Sequence, residues 1–365
     1  MGGATHLALV RTGTGLSSAR VPTPAVGPGD VLVRVGRVGV CGTDLQILNG
    51  TRPDTARVLG HEGIGWVEQV GPGGPPLAAG SHVVFNPVNP ARPFEVLGHS
   101  FDGLWQEKAI IPAAVVVPAD PDLPADLGPL VEPLGTAVYG HELACAAAGR
   151  PEGVAVVGGG PVGLLYAIHA RAAGAKRVVL IHPSPTRLAW AVAAGIVGAA
   201  DAVLADATGP PVGVDADVVY LCTPRAGAVA GLRTALAVVR DGGCVDLVAG
   251  LPDGASAPAA WAGVDPNEVR RRNVCGVTTG ESSVAVRAGP GQTARITGHR
   301  GTAAAHLIAA MRVLASDPGA FRRLVTHVVP LGPDAAELVG RMSRGEPPAD
   351  GGERVKVVIE IGAAG

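Results

Sequence analysis

The chain has 365 residues and a formal net charge of −2, with 16% charged and 47% hydrophobic residues. That length exceeds one ordinary core and predicts two domains. The near-neutral balance leaves no basic stripe for nucleic acid and no acidic tail. Gly, Pro or a charge interrupts every apolar run well short of the roughly 20 residues that a membrane span needs. The expectation is a soluble protein whose partner is a small molecule, with neither nucleic acid nor membrane as partner. It is placed in the cytoplasm by default, because Met1 to His6 shows no basic region leading into an apolar segment.

In chain order, the first 120 residues or so hold short β-rich runs, Val31 to Val38 and Ile64 to Glu68 among them, separated by punctuation such as Pro28-Gly29-Asp30 and Gly71 to Pro76. Closely spaced short strands predict an irregular barrel. From Gly153 the rhythm changes. Apolar runs at Val154 to Val157, Val178 to Ile181, Val218 to Leu221 and Val245 to Val248 alternate with Ala-rich helical stretches. Such strands between helices predict a parallel sheet covered on both faces. Beyond residue 280 the character is mixed, with a helix expected over Thr302 to Leu314 and a last strand over Arg354 to Ile361. The Gly-, Arg- and Thr-rich stretch Ser282 to Arg300 reads as a loop near the active cleft.

The five cysteines, Cys41, Cys145, Cys222, Cys244 and Cys275, are odd in number and contain no Cys-x-x-Cys pair. They describe neither a disulfide framework nor a zinc knuckle. Four lie in Ala- and Val-rich surroundings and read as small buried hydrophobes. Cys41 alone has polar company.

Two constellations carry chemistry. Gly158-x-Gly160-x-x-Gly163 follows the strand Val154 to Val157 and opens the helical run Leu164 to Ala173. In that context Gly158 allows the tight turn, Gly160 lets the backbone approach a pyrophosphate, and Gly163 lets helix pack on strand. Pro161 and Val162 lie at the helix N-terminus where the phosphates sit. At the end of the next strand, where an NAD site usually carries an acid, stands His182. With no carboxylate to repel a 2′-phosphate, and with Ser184 and Arg187 nearby, NADP is favoured over NAD. The second constellation is Cys41-Gly42-Thr43-Asp44 with Gly60-His61-Glu62 and, at the start of a helix, Glu132. A thiolate, an imidazole and carboxylates at strand breaks and bends suit zinc with one position left open.

Together these runs, with Val131-Glu132-Pro133-Leu134, resemble the ordered signature of the zinc-dependent medium-chain alcohol dehydrogenase superfamily over nearly the whole chain. Glu132, where other relatives place Cys, resembles the sorbitol, threonine and glucose dehydrogenase branch. The resemblance implies an α/β protein: a GroES-like irregular β-barrel catalytic domain at residues 1–150, a Rossmann doubly wound parallel sheet at 151–285 that binds NAD(P), and a segment 286–365 returning to the first domain. It implies Cys41 and His61 as zinc ligands, Glu62 as a ligand or one that exchanges with water, and Glu132 as a ligand or water-mediated partner. Thr43 would relay the hydroxyl proton, Asp44 would orient the ligand histidine, and Lys356 would lie near the cofactor pyrophosphate or be an ordinary exposed lysine.

Two departures matter. The stretch Phe85 to Trp105 lacks the four cysteines with which many relatives hold a structural zinc, so one catalytic ion is expected. Gln46 stands where relatives often have a relay histidine. His99, Phe101, Trp105 and Gln106 are candidate walls of the substrate site. The implied activity is hydride transfer between NAD(P) and the secondary alcohol or ketone of a polyol, sugar or cyclitol. Threonine-type amino-alcohol oxidation and a non-catalytic NAD(P)-binding role are alternatives, as is an epimerase working through transient oxidation. A homodimer or homotetramer is expected by analogy.

Overall fold

The computed structural model describes residues 4–13, 15–89, 92, 94–205, 211–252, 261, 264–349 and 351–362. The chain begins with a hairpin of β1 (Thr5–Thr12) and β2 (Gly15–Pro22), followed by β3 (Asp30–Gly39), helix α1 (Gly42–Leu48), β4 (Glu62–Val70), β5 (His82–Phe85), β6 (Lys108–Pro112) and β7 (Val116–Pro118). Strand β3 is buried along nearly all its length. Its pairing with β4 shifts register between Leu32 and Val33 and again between Val35 and Arg37. Bulges of this kind bend a strand. Residues Asp30 to Arg34 pair with β6, while Arg37 to Gly39 pair with the last strand of the protein, so β3 changes partners on one edge.

Helix α2 (Val131–Ala148) leads into β8 (Gly153–Val157), α3 (Pro161–Ala172), β9 (Arg177–His182), α4 (Pro185–Ala193), β10 (Ala202–Leu204), β11 (Ala216–Leu221), α5 (Ala228–Val238) and β12 (Val239–Leu247). There follow α6 (Pro266–Arg272), the short hairpin β13 (Asn273–Val274) and β14 (Val277–Thr278), then β15 (Val284–Gly289) and β16 (Gln292–Thr297). The sheet order is β10-β9-β8-β11-β12-β16-β15. All neighbours in it are parallel except β15 and β16. Val154 to Val157 of β8, Val178 to Ile181 of β9 and Val218 to Leu221 of β11 are continuous buried runs, as strands covered on both faces must be. The strand order reverses between β8 and β11, the switch point where doubly wound sheets take their ligands.

The tail contains α7 (Ala304–Ser316), α8 (Pro318–Arg322), β17 (Val325–Pro330), α9 (Pro333–Ser343) and β18 (Lys356–Glu360). Proline opens α3, α4, α6, α8 and α9, where its missing N–H costs nothing and its fixed φ suits the first turn. Strands β17 and β18 extend the first sheet, which runs β17-β18-β3-β4-β5-β7 with β6 also on β3.

Packing divides the chain into Met1–Glu132 with Ala303–Gly365, and Pro133–Thr302. The tail belongs to the first unit, and the boundaries fall at 132 and 302 where 150 and 285 were expected. Each unit has its own core, one around Val33, Leu59, Trp105 and Ile359, the other around Val157, Val219, Leu232 and Val245. The stretch Ser282 to Arg300 is no loop: it forms the antiparallel pair β15–β16 on the second sheet. Its alternation of Val, Ala and Ile with polar residues is a half-buried strand pattern, masked in sequence by Gly289 to Gly291 at its turn. None of the five cysteines is paired; Cys244 and Cys275 are buried, while Cys145 and Cys222 are half-buried.

Candidate active site

Where β3 ends, Cys41 takes extended backbone and caps α1. Its Sγ accepts from the Thr43 N–H at 3.5 Å, and the Cys41 N–H donates to Asp44 Oδ2 at 2.9 Å. This is a capping box made by a thiol and a carboxylate, and it fixes both side chains against one short helix. Thr43 Oγ1 stands 3.6 Å from the same sulfur.

Gly60 supplies the bend before β4 with φ of 90°, and a Cβ there would lie 2.3 Å from the Trp105 ring. The turn delivers His61 and Glu62 to the sulfur. One donor atom each from Cys41, His61 and Glu62 lies within 4.8 Å of the other two. His61 Nδ1 is 3.5 Å from Asp44 Oδ1 and has no hydrogen-bond partner among the described residues. Glu62 pairs with the ammonium of Lys356, which also donates to the Val40 carbonyl at 3.2 Å.

Lys356, for which an ordinary exposed lysine was one expectation, is buried instead: the pair lies in the core, at 1% and 2% exposure. A second group of converging donors, Asp44, His61 and His99, is wholly buried. Sequence reasoning missed both the Lys356 pairing and this group. Trp105 and Gln106, candidate walls, are core residues; Gln106 Oε1 meets His6 Nε2 at 3.0 Å and its amide donates to the Gly103 carbonyl.

The charges press on one another. Burial and the Glu62 charge push the Cys41 thiol up, although His61 pulls it back. Burial alone would lower His61, yet Asp44 and Cys41 carry it well above the ordinary imidazole range. Burial raises Glu132 to about 7. Its carboxylate feels His61, Glu62, Lys356 and Asp44 but is not one of the three converging donors. A dry cluster of thiol, imidazole and acids in which protons are this strongly contested is a donor set suited to a divalent cation, whose charge would displace those protons.

In the second unit, Gly158 has φ of 115°, and a Cβ there would come within 2.6 Å of the Cys222 carbonyl. A Cβ at Gly163 would stand 1.9 Å from the Gly158 carbonyl, whereas Gly160 has nothing within 4 Å. Two glycines therefore serve packing, and the third leaves space over the N-terminus of α3, with Pro161 and Val162 in its first turn. That opening fits a phosphate group. Three of the residues expected at the adenosine end gather beside Gly159. Its N–H donates to His182 Nδ1 at 3.0 Å, its carbonyl accepts from Arg187 at 2.7 Å, and Ser184 caps α4 by accepting from the Arg187 N–H.

Residues 27–122 match the alcohol dehydrogenase GroES-like domain. The chain is 33% identical to L-threonine 3-dehydrogenase of Streptomyces avermitilis over 72% of its own length and 81% of that protein. The L-threonine 3-dehydrogenase of Thermococcus kodakarensis is 32% identical over 65% of this chain and 73% of that one. Among solved structures, an alcohol dehydrogenase of Thermus sp. ATN1 is 26% identical, with a TM-score of 0.72 over 98% of this chain and 100% of that one. The chain belongs to the zinc-dependent medium-chain alcohol dehydrogenase superfamily and is an oxidoreductase. Among the described residues, no helix is long and apolar enough to cross a membrane.

Proposed function

We propose that this chain transfers a hydride between NADP, or less favourably NAD, and the secondary alcohol or ketone of a polar small molecule at a zinc site. The observation that carries this reading is the convergence of Cys41, His61 and Glu62 within 4.8 Å. Cys41 and His61 would hold the ion, Glu62, paired with Lys356, would be a ligand or one that exchanges with water, and Glu132 would act as a ligand or through water. Bound zinc supplies Lewis acidity, lowering the pKa of a substrate hydroxyl or polarising a ketone. Asp44, whose Oδ1 stands 3.5 Å from His61 Nδ1, would keep that ring oriented. Thr43, beside the sulfur, passes the hydroxyl proton outward. In the other unit Gly160 admits the pyrophosphate to the start of α3, while His182 and Arg187 present no carboxylate to a 2′-phosphate.

The substrate is read as a polyol, sugar or cyclitol on the strength of Glu132. The named activity of the 33% identical relatives favours a second reading, an amino alcohol. Copies are expected to associate in twos or fours, which sizing in solution tests.

Zinc analysis of the purified chain, with polyols, cyclitols, sugars and amino alcohols assayed against both cofactors, is the test. One zinc per chain with turnover on one substrate class supports the proposal. A Cys41→Ala chain that keeps full turnover and full metal content defeats it.

A further inference from the structure

The stretch 97–105 has a task that follows from its backbone. Its N–H groups grip the run leading to the ligand histidine: Gly103 donates to the Val58 carbonyl at 2.7 Å, Trp105 to Leu59 at 3.0 Å and Leu104 to Gly60 at 2.9 Å. In return Asp102 Oδ1 accepts from the N–H groups of Arg57 and Val58 at 2.8 and 3.0 Å. A Cβ at Gly98 or Gly103 would lie 2.6 or 2.2 Å from the Gly60 carbonyl, so the two backbones touch.

His99 is the tip of this clamp. Its carbonyl accepts from Thr55 and Ala56 at 3.0 and 2.8 Å. Its ring meets His61 edge-on, with centroids 4.8 Å apart and planes at 88°. One ring nitrogen lies within 4.8 Å of both an Asp44 oxygen and a His61 nitrogen. On its far side, Nδ1 stands 3.9 Å from Asp54, which is itself held by Arg52 at 2.8 Å. His99 Nε2 is buried without a hydrogen-bond partner among the described residues. A polar ring is costly to bury in that state unless its position serves something.

We propose that this cysteine-free segment clamps the metal-binding histidine, and that His99 is a positioning residue which, together with Asp44, fixes the His61 ring for the ion. This rests on the zinc reading above. Asp44 Oδ1 stands 3.5 Å from the Nδ1 edge of the ring and the His99 ring packs edge-on against it, which together restrict how the ring can turn. Loss of the hydrogen-bonded neighbours that orient a ligating histidine typically costs 10- to 100-fold in metal affinity, which sets the scale for this ring contact.

The test measures zinc affinity by competition with a chromophoric chelator, and the visible spectrum of the cobalt-substituted chain. Wild type is compared with His99→Ala, His99→Phe and His99→Gln, each checked for folding by circular dichroism. Phe keeps the volume and the ring contact but removes the nitrogen facing Asp44; Gln restores a polar group. The expected result is a roughly 10-fold or greater loss of zinc affinity in the Ala and Phe variants with an altered cobalt spectrum. Gln should recover most of the loss, and free imidazole should rescue the Ala variant. A folded His99→Phe chain with wild-type affinity and spectrum overturns this inference and leaves the zinc reading standing. A wild-type chain that binds no zinc removes both.

Discussion

Lys356 carries its ammonium into the core, where it pairs with Glu62. Removing one member of such a pair leaves a charge with neither partner nor water. Lys356→Met is therefore expected to destabilise the chain by about 3–5 kcal/mol, and adding Glu62→Gln should recover much of that; denaturant midpoints of the single and double variants decide it. Asp246, 0% exposed on β12, poses the opposite problem. Burial holds its carboxyl up at about 6 against an ordinary 3.8, with the Tyr166 hydroxyl offsetting part of the rise. The folded state thus keeps this proton more tightly than the unfolded chain does. The resulting stability is fully present below pH 3.8 and is lost as pH rises through about 6. The loss is about 3 kcal/mol at 1.36 kcal/mol per pKa unit. Asp246→Asn, which keeps an acceptor for Tyr166, should flatten that fall; urea midpoints near pH 4 and pH 7 with no difference in slope between variant and wild type would contradict it.

The strand–glycine–helix unit shows how far an element can be read before it is seen. Val154 to Val157 and Gly158 to Gly163 announced a strand, a tight turn and a helix because their constraints are local. The structure adds a division of labour among the three glycines. Gly163→Ala drives a methyl group into the Gly158 carbonyl at 1.9 Å and should cost several kcal/mol by overpacking, whereas Gly160→Ala meets nothing within 4 Å. The second variant should melt like wild type yet bind NADP at least tenfold more weakly, measured by calorimetry; unchanged affinity would show that the backbone approach is not used. The capping box of Cys41 and Asp44 spans only four residues and was within reach of such a reading, yet it went unread. The grip of 97–105 on 57–60 was out of reach, because main-chain pairing between two irregular segments leaves no periodicity in either. Lys356 escaped for a related reason: alternation shows that a strand has a buried face, but not that a lysine on that face has found an acid.

At the scale of the whole molecule, the resemblance implied one unit interrupting the other with edges at 150 and 285, whereas packing sets them at 132 and 302. The first domain was expected to run to 150, because the rhythm of the sequence changes at Gly153; packing assigns Pro133 to Thr302 to the second unit. Residues 133–302 have their own core and close with β16. Expressed alone, this piece is expected to fold and to bind NADP, which fluorescence titration of the fragment checks. Residues 1–132 alone should stay unfolded by circular dichroism and recover when 303–365 are joined to them, because β3 then regains β18 along Arg37 to Gly39. That pairing imposes an order on synthesis. A ribosome completes Cys41, His61 and Glu62 early in its work, yet Glu62 waits through 294 further residues for its counter-charge. A chain that ends before β18 leaves Glu62 without Lys356 and β3 without its partner along Arg37 to Gly39, an open edge of the kind that invites wrong pairing.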